Sequence, residues 1–363
     1  MSRKKILICP LNWGIGHATR CVPLVKALLQ QNHEVILAAD KAPLAFLRSA
    51  FPQLRHLVFP GFEPRYSSSN SQVLSTLKAL PAMHAWAKRD HGWIEKNIQS
   101  HQIDAVISDN RFGAWSKLVP SVFITHQLNI SIPPLLNGMK PIVNRLNHTY
   151  IRRFSACWVP DYRNEPNLSG ALAHPPPNGL EVQYIGPLSR FYASPMPNLK
   201  TCESACDLLV ILSGPEPQRS LLEQAIIEQA KNQPFSIIIL RGRPGEADMP
   251  ETPDNIRMIN HAQDEQMIPL IESAKVILSR PGYSTIMDLM ALKKNAFFIP
   301  TPGQTEQTYL AENMKEKSWF DYAPQHSFAL AKILENKINF KPPALPDTAP
   351  MLEQQLKSWL ASF

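Results

Sequence analysis

Two stretches of this chain combine residue types that can do chemistry. The first is Gly14-Ile15-Gly16-His17, just past the apolar run Lys5–Cys9. A neutral imidazole, with its ordinary pKa near ~6.5, can take the proton of an attacking hydroxyl in the transition state. His17 is therefore read as a candidate general base. Two other roles stay open for it: a hydrogen bond within its own loop, or contact with an acceptor or a phosphate. Asp109 ends a second apolar run, Ile103–Ser108. It could orient the imidazole as a carboxylate does in a triad, or cap the next helix. The second stretch is Arg280-Pro281-Gly282-Tyr283-Ser284-Thr285, followed by a helically spaced Ile286, Leu289, Met290 and Leu292. A helix that starts in such a turn, after a parallel strand, presents free N–H groups and the positive end of its dipole. That is a seat for a phosphate. Asp288, one turn in, could accept bonds from ribose hydroxyls, and Gln307 could reach the same crevice.

These residues need strands and helices to place them. Short β-branched runs alternate with helical periods along most of the chain, the pattern of a doubly wound parallel α/β sheet. In such sheets sites gather at the carboxyl ends of the strands. Polar residues stand there repeatedly: Asn110 and Arg111 after 103–108, His126 and Gln127 after 120–125, Gly214 and Arg219 after 207–212, and Asn260 and His261 after 256–259. The stretch 73–93 reads as an amphipathic helix broken near Pro81, with core packing favoured over membrane docking for its apolar stripe. Ser67–Ser71 reads as a mobile loop. Asp161–Leu180 is polar, Pro-rich and without periodicity, and reads as a linker. Arg145, Arg152 and Arg153 read as a solvated face or as a contact for anionic lipid or phosphate.

The 363 residues suffice for two domains; 44% hydrophobic and 18% charged residues describe a globular chain. No apolar run approaches the ~18 residues of a membrane span, and the basic start runs straight into the Gly turn rather than into a signal peptide. Five cysteines without a framework or a zinc spacing fit a reducing cytoplasm. The net charge of +7 suits a phosphorylated substrate or an anionic membrane, and no nucleic-acid motif accompanies it. No Asp-x-Asp metal motif stands at a strand end. The turn at Gly14 lacks the third glycine of a dinucleotide fingerprint, since Thr19 stands there, which disfavours a nicotinamide dehydrogenase.

Ser279-Arg280-Pro281-Gly282-Tyr283-Ser284-Thr285, Asp288, Pro300 and Glu306-Gln307 together resemble the nucleotide-sugar half of the family 28 glycosyltransferases. The best-known member of that family adds N-acetylglucosamine to the lipid-linked peptidoglycan precursor. The family has Glu where this chain has Asp288. Gly14-x-Gly16-His17-x-x-Arg20 is similar to the first loop of bacterial members, and Gly186-Pro187-x-x-Arg190 to their inter-domain segment. The resemblance implies two Rossmann-like doubly wound domains facing across a cleft, the fold called GT-B. It implies a first domain over 1–185, a nucleotide-sugar domain over 186–340, and a terminal helix over 341–363 that crosses back.

The resemblance also assigns roles. Gly14, Gly16, Arg190, Gly214, Arg219, Asn260, His261, Arg280, Gly282, Tyr283, Ser284, Thr285, Asp288, Glu306 and Gln307 would bind the donor. Asn110, Arg111, His126 and Gln127 would face the acceptor. The expected activity is inverting, metal-independent transfer of a hexose or N-acetylhexosamine from a UDP-sugar, with no cofactor, to a lipid-linked or glycan hydroxyl. The expected location is the cytoplasm, at the inner face of the membrane if the basic charge meets lipid. A UDP-sugar 2-epimerase and a non-catalytic nucleotide-sugar-binding protein of the same fold are the alternatives.

Overall fold

A computed structural model describes residues 2–61, 72–192, 206–243, 248–335, 343 and 345–363; side chains are described outside 72–81. The chain divides into two compact units. The first holds the described residues of Met1–Arg65, Val73–Ala193 and Pro346–Phe363, and the second those of Ser194–Leu345.

In chain order the first unit contains β1 (Lys5–Pro10), α1 (Gly16–Gln30), β2 (Glu34–Ala39), α2 (Lys41–Ala50), β3 (Arg55–Val58), α3 (Gln72–His101), β4 (Ala105–Asp109), β5 (Ser121–Ile124), α4 (Lys140–Ile151), β6 (Ala156–Val159) and β7 (Val182–Tyr184). The second contains β8 (Leu208–Ile211), α5 (Gln218–Ala230), β9 (Ile237–Leu240), β10 (Ile256–Ile259), α6 (Asp264–Ser273), β11 (Val276–Ser279), α7 (Tyr283–Ala291), β12 (Phe297–Phe298), α8 (Thr305–Glu316), β13 (Asp321–Tyr322) and α9 (Leu330–Glu335). The terminal helix α10 (Ala349–Leu360) belongs to the first unit.

Both sheets are parallel. The first has seven strands in the order β3-β2-β1-β4-β5-β6-β7, the second six in the order β10-β9-β8-β11-β12-β13. This is the doubly wound α/β arrangement the strand pattern predicts. Parallel sheets are covered on both faces, so their central strands are continuously apolar. Ile6, Leu7 and Ile8 of β1 and Leu208, Leu209 and Val210 of β8 are fully buried. In each sheet the winding reverses beside the first strand, between β1 and β4 and between β8 and β11. The loops after those strands diverge to opposite faces there and leave a crevice at their carboxyl ends.

Local signals set several helix ends. Asp40 caps α2 by accepting from the Lys41 amide. Gln263 and Gln266 form a capping box on α6. Asn32, left-handed at φ 63°, closes α1.

Three expectations are corrected. Helix α3 runs unbroken through Pro81. The segment after Asp161 is not a linker. The buried Asp161 carboxylate accepts the backbone N–H groups of Tyr162, Leu168 and Ser169, which folds the segment onto the first unit, and β7 then extends the first sheet. Residues 186–192 also lie in the first unit, and Gly186 packs on Thr348 near the start of α10. The expected mobile loop Ser67–Ser71 lies outside the described residues.

Candidate functional site

In the first unit the β1–β4 register sets Pro10 beside Asp109, and the Leu11 amide donates to the Asp109 carbonyl at 2.9 Å. Helix α1 starts at Gly16, so His17 and Arg20 stand three apart and look the same way, onto Asp109. His17 Nδ1 lies 3.2 Å from Asp109 Oδ1. Arg20 grips both Asp109 oxygens through Nε and Nη2. The same guanidinium reaches His17 Nδ1 at 2.9 Å and His126 Nδ1 at 3.2 Å. Arg20, Asp109 and His126 are buried, while the His17 side chain keeps 16% exposure.

The charges explain the titration. Burial pushes Asp109 up, but the Arg20 guanidinium and His17 more than offset it and hold the carboxyl at about 2. His17 moves the other way. Burial and the Arg20 charge lower it, against the raising effect of Asp109. The imidazole is thus kept neutral at neutral pH. Two tautomers fit the geometry. With Nδ1–H donated to Asp109, Nε2 carries a lone pair and can accept a proton. With Nδ1 accepting from Arg20, Nε2–H can only donate.

Arg20 is the residue that site assignment from the sequence missed, although its spacing from His17 was the available signal. Asn12, in the same loop, was missed as well. Its carboxamide is buried with neither polar atom hydrogen-bonded, and it lies so close to Gly61 that a Cβ there would be 2.1 Å from Oδ1. Asn110 follows Asp109 in a left-handed conformation, φ 56°. The Gln127 backbone N–H donates to Thr125 Oγ1 at 3.0 Å. Gly14 takes φ 86° with open space around it, which leaves the loop backbone approachable.

Arg111 is a correction. It bonds Asp90 through Nε and Nη2, donates to the Phe59 and Pro60 carbonyls, and stacks 3.2 Å over the Phe59 ring. Four of its five N–H donors are used inside the unit and the side chain is buried, so it is held away from the acceptor role expected of it. Arg190 also lies in the first unit, buried with its guanidinium 4.8 Å from the Phe191 ring and 5.9 Å from that of Phe46.

In the second unit the loops after β8, β11 and β12, three neighbouring strands, form one rim. Gly214, at φ 99°, follows β8, and a Cβ there would lie 3.6 Å from Thr301 Oγ1. Gly282 is the N-cap of α7 and brings no side chain to it. Tyr283 is buried, and Ser284, Thr285 and Asp288 are partly exposed along the helix. The hydroxyls of Ser279 and Thr301 are buried at this rim without a hydrogen-bond partner. Gln307, beside Glu306 in the first turn of α8, accepts from the Thr301 amide at 2.8 Å and fixes that loop. The rim thus joins the N-terminus of α7, two orphan hydroxyls and a glycine backbone, groups that suit a ligand rich in acceptor oxygens.

Arg280 and Arg219 of this unit have partners within it. Arg280, 1% exposed, donates to the carbonyls of Ile299, Pro300 and Gln218 and to Gln325 Oε1. Desolvation lowers it to about 10. Arg219 is held by Glu216 and Glu223. Both were expected at the donor; Arg219 pairs with the exposed Glu216 and the buried Glu223, and Arg280 ties together the loop carbonyls of Ile299, Pro300 and Gln218. Asn260 Oδ1 accepts from Arg241 at 2.8 Å. His261 is partly exposed next to it.

Comparison with known proteins agrees with this architecture. Residues 208–339 match the model of the glycosyltransferase family 28 C-terminal domain. An uncharacterised glycosyltransferase of Methanosarcina acetivorans is 24% identical over 326 residues, covering 84% of this chain and 79% of the relative. Among solved structures, the calicheamicin glycosyltransferase CalG4 aligns at a TM-score of 0.65 and 13% identity, over 100% of this chain and 99% of its own. MurG of Acinetobacter baumannii aligns at 0.54 and 15%, over 99% and 100%. With two doubly wound parallel units and a match to the family 28 C-terminal domain in the second, the chain has the GT-B fold and is similar to glycosyltransferases.

Proposed function

We propose that the chain moves a hexose or N-acetylhexosamine from a UDP-sugar to an acceptor hydroxyl, with inversion at the anomeric carbon and without a metal. The observation that carries this reading is the rim of the second unit, where Gly214, the α7 N-terminus and the unpartnered Ser279 and Thr301 hydroxyls surround one place. A diphosphate supplies the acceptors this place lacks. As the bond from the anomeric carbon to the diphosphate breaks, charge grows on the leaving oxygen. Fixed N–H and O–H donors stabilise that charge without reorganising. Asp288 would take the ribose hydroxyls, and Asn260 and His261 would line the base.

On the acceptor side the reading uses His17 with Nδ1–H on Asp109. The acceptor oxygen attacks the anomeric carbon, and its proton passes to His17 Nε2. The lowered pKa keeps the base neutral and ready but makes it a weak one, so proton transfer would run late, with the glycosyl bond already loosened. The acceptor is a glycan or lipid-linked hydroxyl. Cys9, Cys21 and Cys157 are buried thiols outside any disulfide, which suits a cytoplasmic location. Among the described residues no helix is long and apolar enough to cross a membrane.

Calorimetric titration with UDP, UDP-N-acetylglucosamine, UDP-glucose, UDP-galactose, GDP-mannose and NAD tests the donor. Binding of the UDP compounds, lost in Asp288→Ala and kept in His17→Ala with EDTA present, is the expected result. Failure of every UDP compound to bind would sink the proposal. Sugar epimerisation without an acceptor would replace it with the epimerase reading.

A further inference from the structure

Strand β10 ends two strands from β8, about 10 Å away along the sheet edge at the usual strand spacing. That is the reach of a ribose and a base from a diphosphate seated on the rim after β8 and β11. Asn260 stands at this strand end, partly exposed, and its backbone carbonyl accepts the Arg243 amide at 2.7 Å. Chemistry fixes which way its carboxamide faces. An arginine has only donors, so the atom that meets Arg241 Nη1 at 2.8 Å is the oxygen, Oδ1. The donor branch, Nδ2 with its two N–H groups, then faces away from Arg241.

Arg241 has little room to move. It is buried, and Nε and Nη2 donate to the two carboxylate oxygens of the buried Glu223 at 2.9 and 3.0 Å. Nη1 also donates to the Asp248 carbonyl at 2.8 Å. Its own carbonyl accepts from Arg219 Nη1 at 3.1 Å, and its amide donates to the Ile259 carbonyl at 2.9 Å. The orientation of one partly exposed amide is thus set by a buried ion pair behind it. An asparagine that can turn its amide over serves a carbonyl or an amine equally well. One whose oxygen is pinned offers donors on its other branch and rejects a donor placed there.

We infer that Asn260, held by Arg241 and Glu223, selects a pyrimidine with a carbonyl at C4. Nδ2–H donates to O4 of uracil; the N4 amine of cytosine in the same place would set donor against donor. Asn260 is the residue that touches the base, and Arg241 and Glu223 are positioning residues that act through it. The inference rests on the donor reading above and gives the choice of uracil a physical cause.

The test is calorimetric titration of the full chain with UDP and with CDP, which differ only in the base. The variants are Asn260→Asp and Arg241→Gln, each checked by urea unfolding. Asp keeps one oxygen on Arg241 and puts a second oxygen where Nδ2 stood, so folding should be kept even if Arg241→Gln is destabilised. The wild-type chain should bind UDP tighter than CDP by about tenfold or more. Asn260→Asp should bring that ratio to one or invert it. Its added charge acts on both diphosphates alike and cancels in the ratio. Arg241→Gln, whose amide can donate or accept, no longer dictates the branch that faces it and should shrink the ratio. Equal binding by the wild-type chain, or a ratio that Asn260→Asp or folded Arg241→Gln leaves unchanged, would overturn the inference and leave the donor reading standing. No binding of either nucleotide to the wild-type chain would strike the donor reading, and this inference with it.

Discussion

Replacing Arg20 with Met should have two linked consequences. The guanidinium is 2% exposed and Asp109 fully buried, so solvent cannot take over the pairing. Asp109 is held at about 2 against an ordinary 3.8, which corresponds to about 2 kcal/mol of stability at neutral pH. Because the folded-state value is the lower one, this contribution is complete above the ordinary value and disappears as pH falls toward 2. Met leaves the carboxylate buried without its cation, a change that costs about 3–5 kcal/mol. Acid unfolding should then begin at higher pH, because Asp109 takes up a proton more readily. The second consequence concerns His17. Arg20 is one of the two main causes that lower it, so its pKa should rise in the variant. Urea unfolding between pH 3 and 8, with NMR titration of the His17 imidazole, reads both effects. A loss below about 1 kcal/mol together with an unmoved imidazole pKa would refute the assignment of Arg20 as the centre of this cluster.

Three further outcomes are expected. Thr301→Val removes a buried, unpartnered hydroxyl, so stability should hold or rise slightly while UDP binding in calorimetry weakens by about tenfold. Arg280→Leu orphans the carbonyls of Gln218, Ile299 and Pro300; it should cost about 3 kcal/mol or more in urea unfolding and impair UDP binding only through that damage. Gly186→Ala forces a side chain onto φ 77° and sets its Cβ 2.7 Å from Thr348 Cγ2. It should cost about 1–3 kcal/mol and make the peptide bonds before α10 susceptible to limited proteolysis.

What the sequence determined by itself was the alternation of apolar strands and periodic helices, hence two doubly wound parallel sheets. Burial on both faces forces near-continuous apolar runs such as Ile6–Ile8 and Ile237–Leu240, and such runs are legible without coordinates. The Gly282–Thr285 helix start was legible for the same reason: the backbone geometry demands those residue types locally. Strands β3 and β13 escaped because Arg-His-Leu-Val and Asp-Tyr are short edge strands with little apolar signal. The tertiary structure alone decided the use of each arginine. A guanidinium reads in sequence as a free cation for a phosphate. Whether it is free depends on acids and carbonyls brought from far along the chain, such as Asp90 to Arg111, Asp109 to Arg20 and the carbonyl of Gln218 to Arg280. Local periodicity is set by residues a few positions apart. Charge pairing is set by distances in space, and only the folded chain defines those.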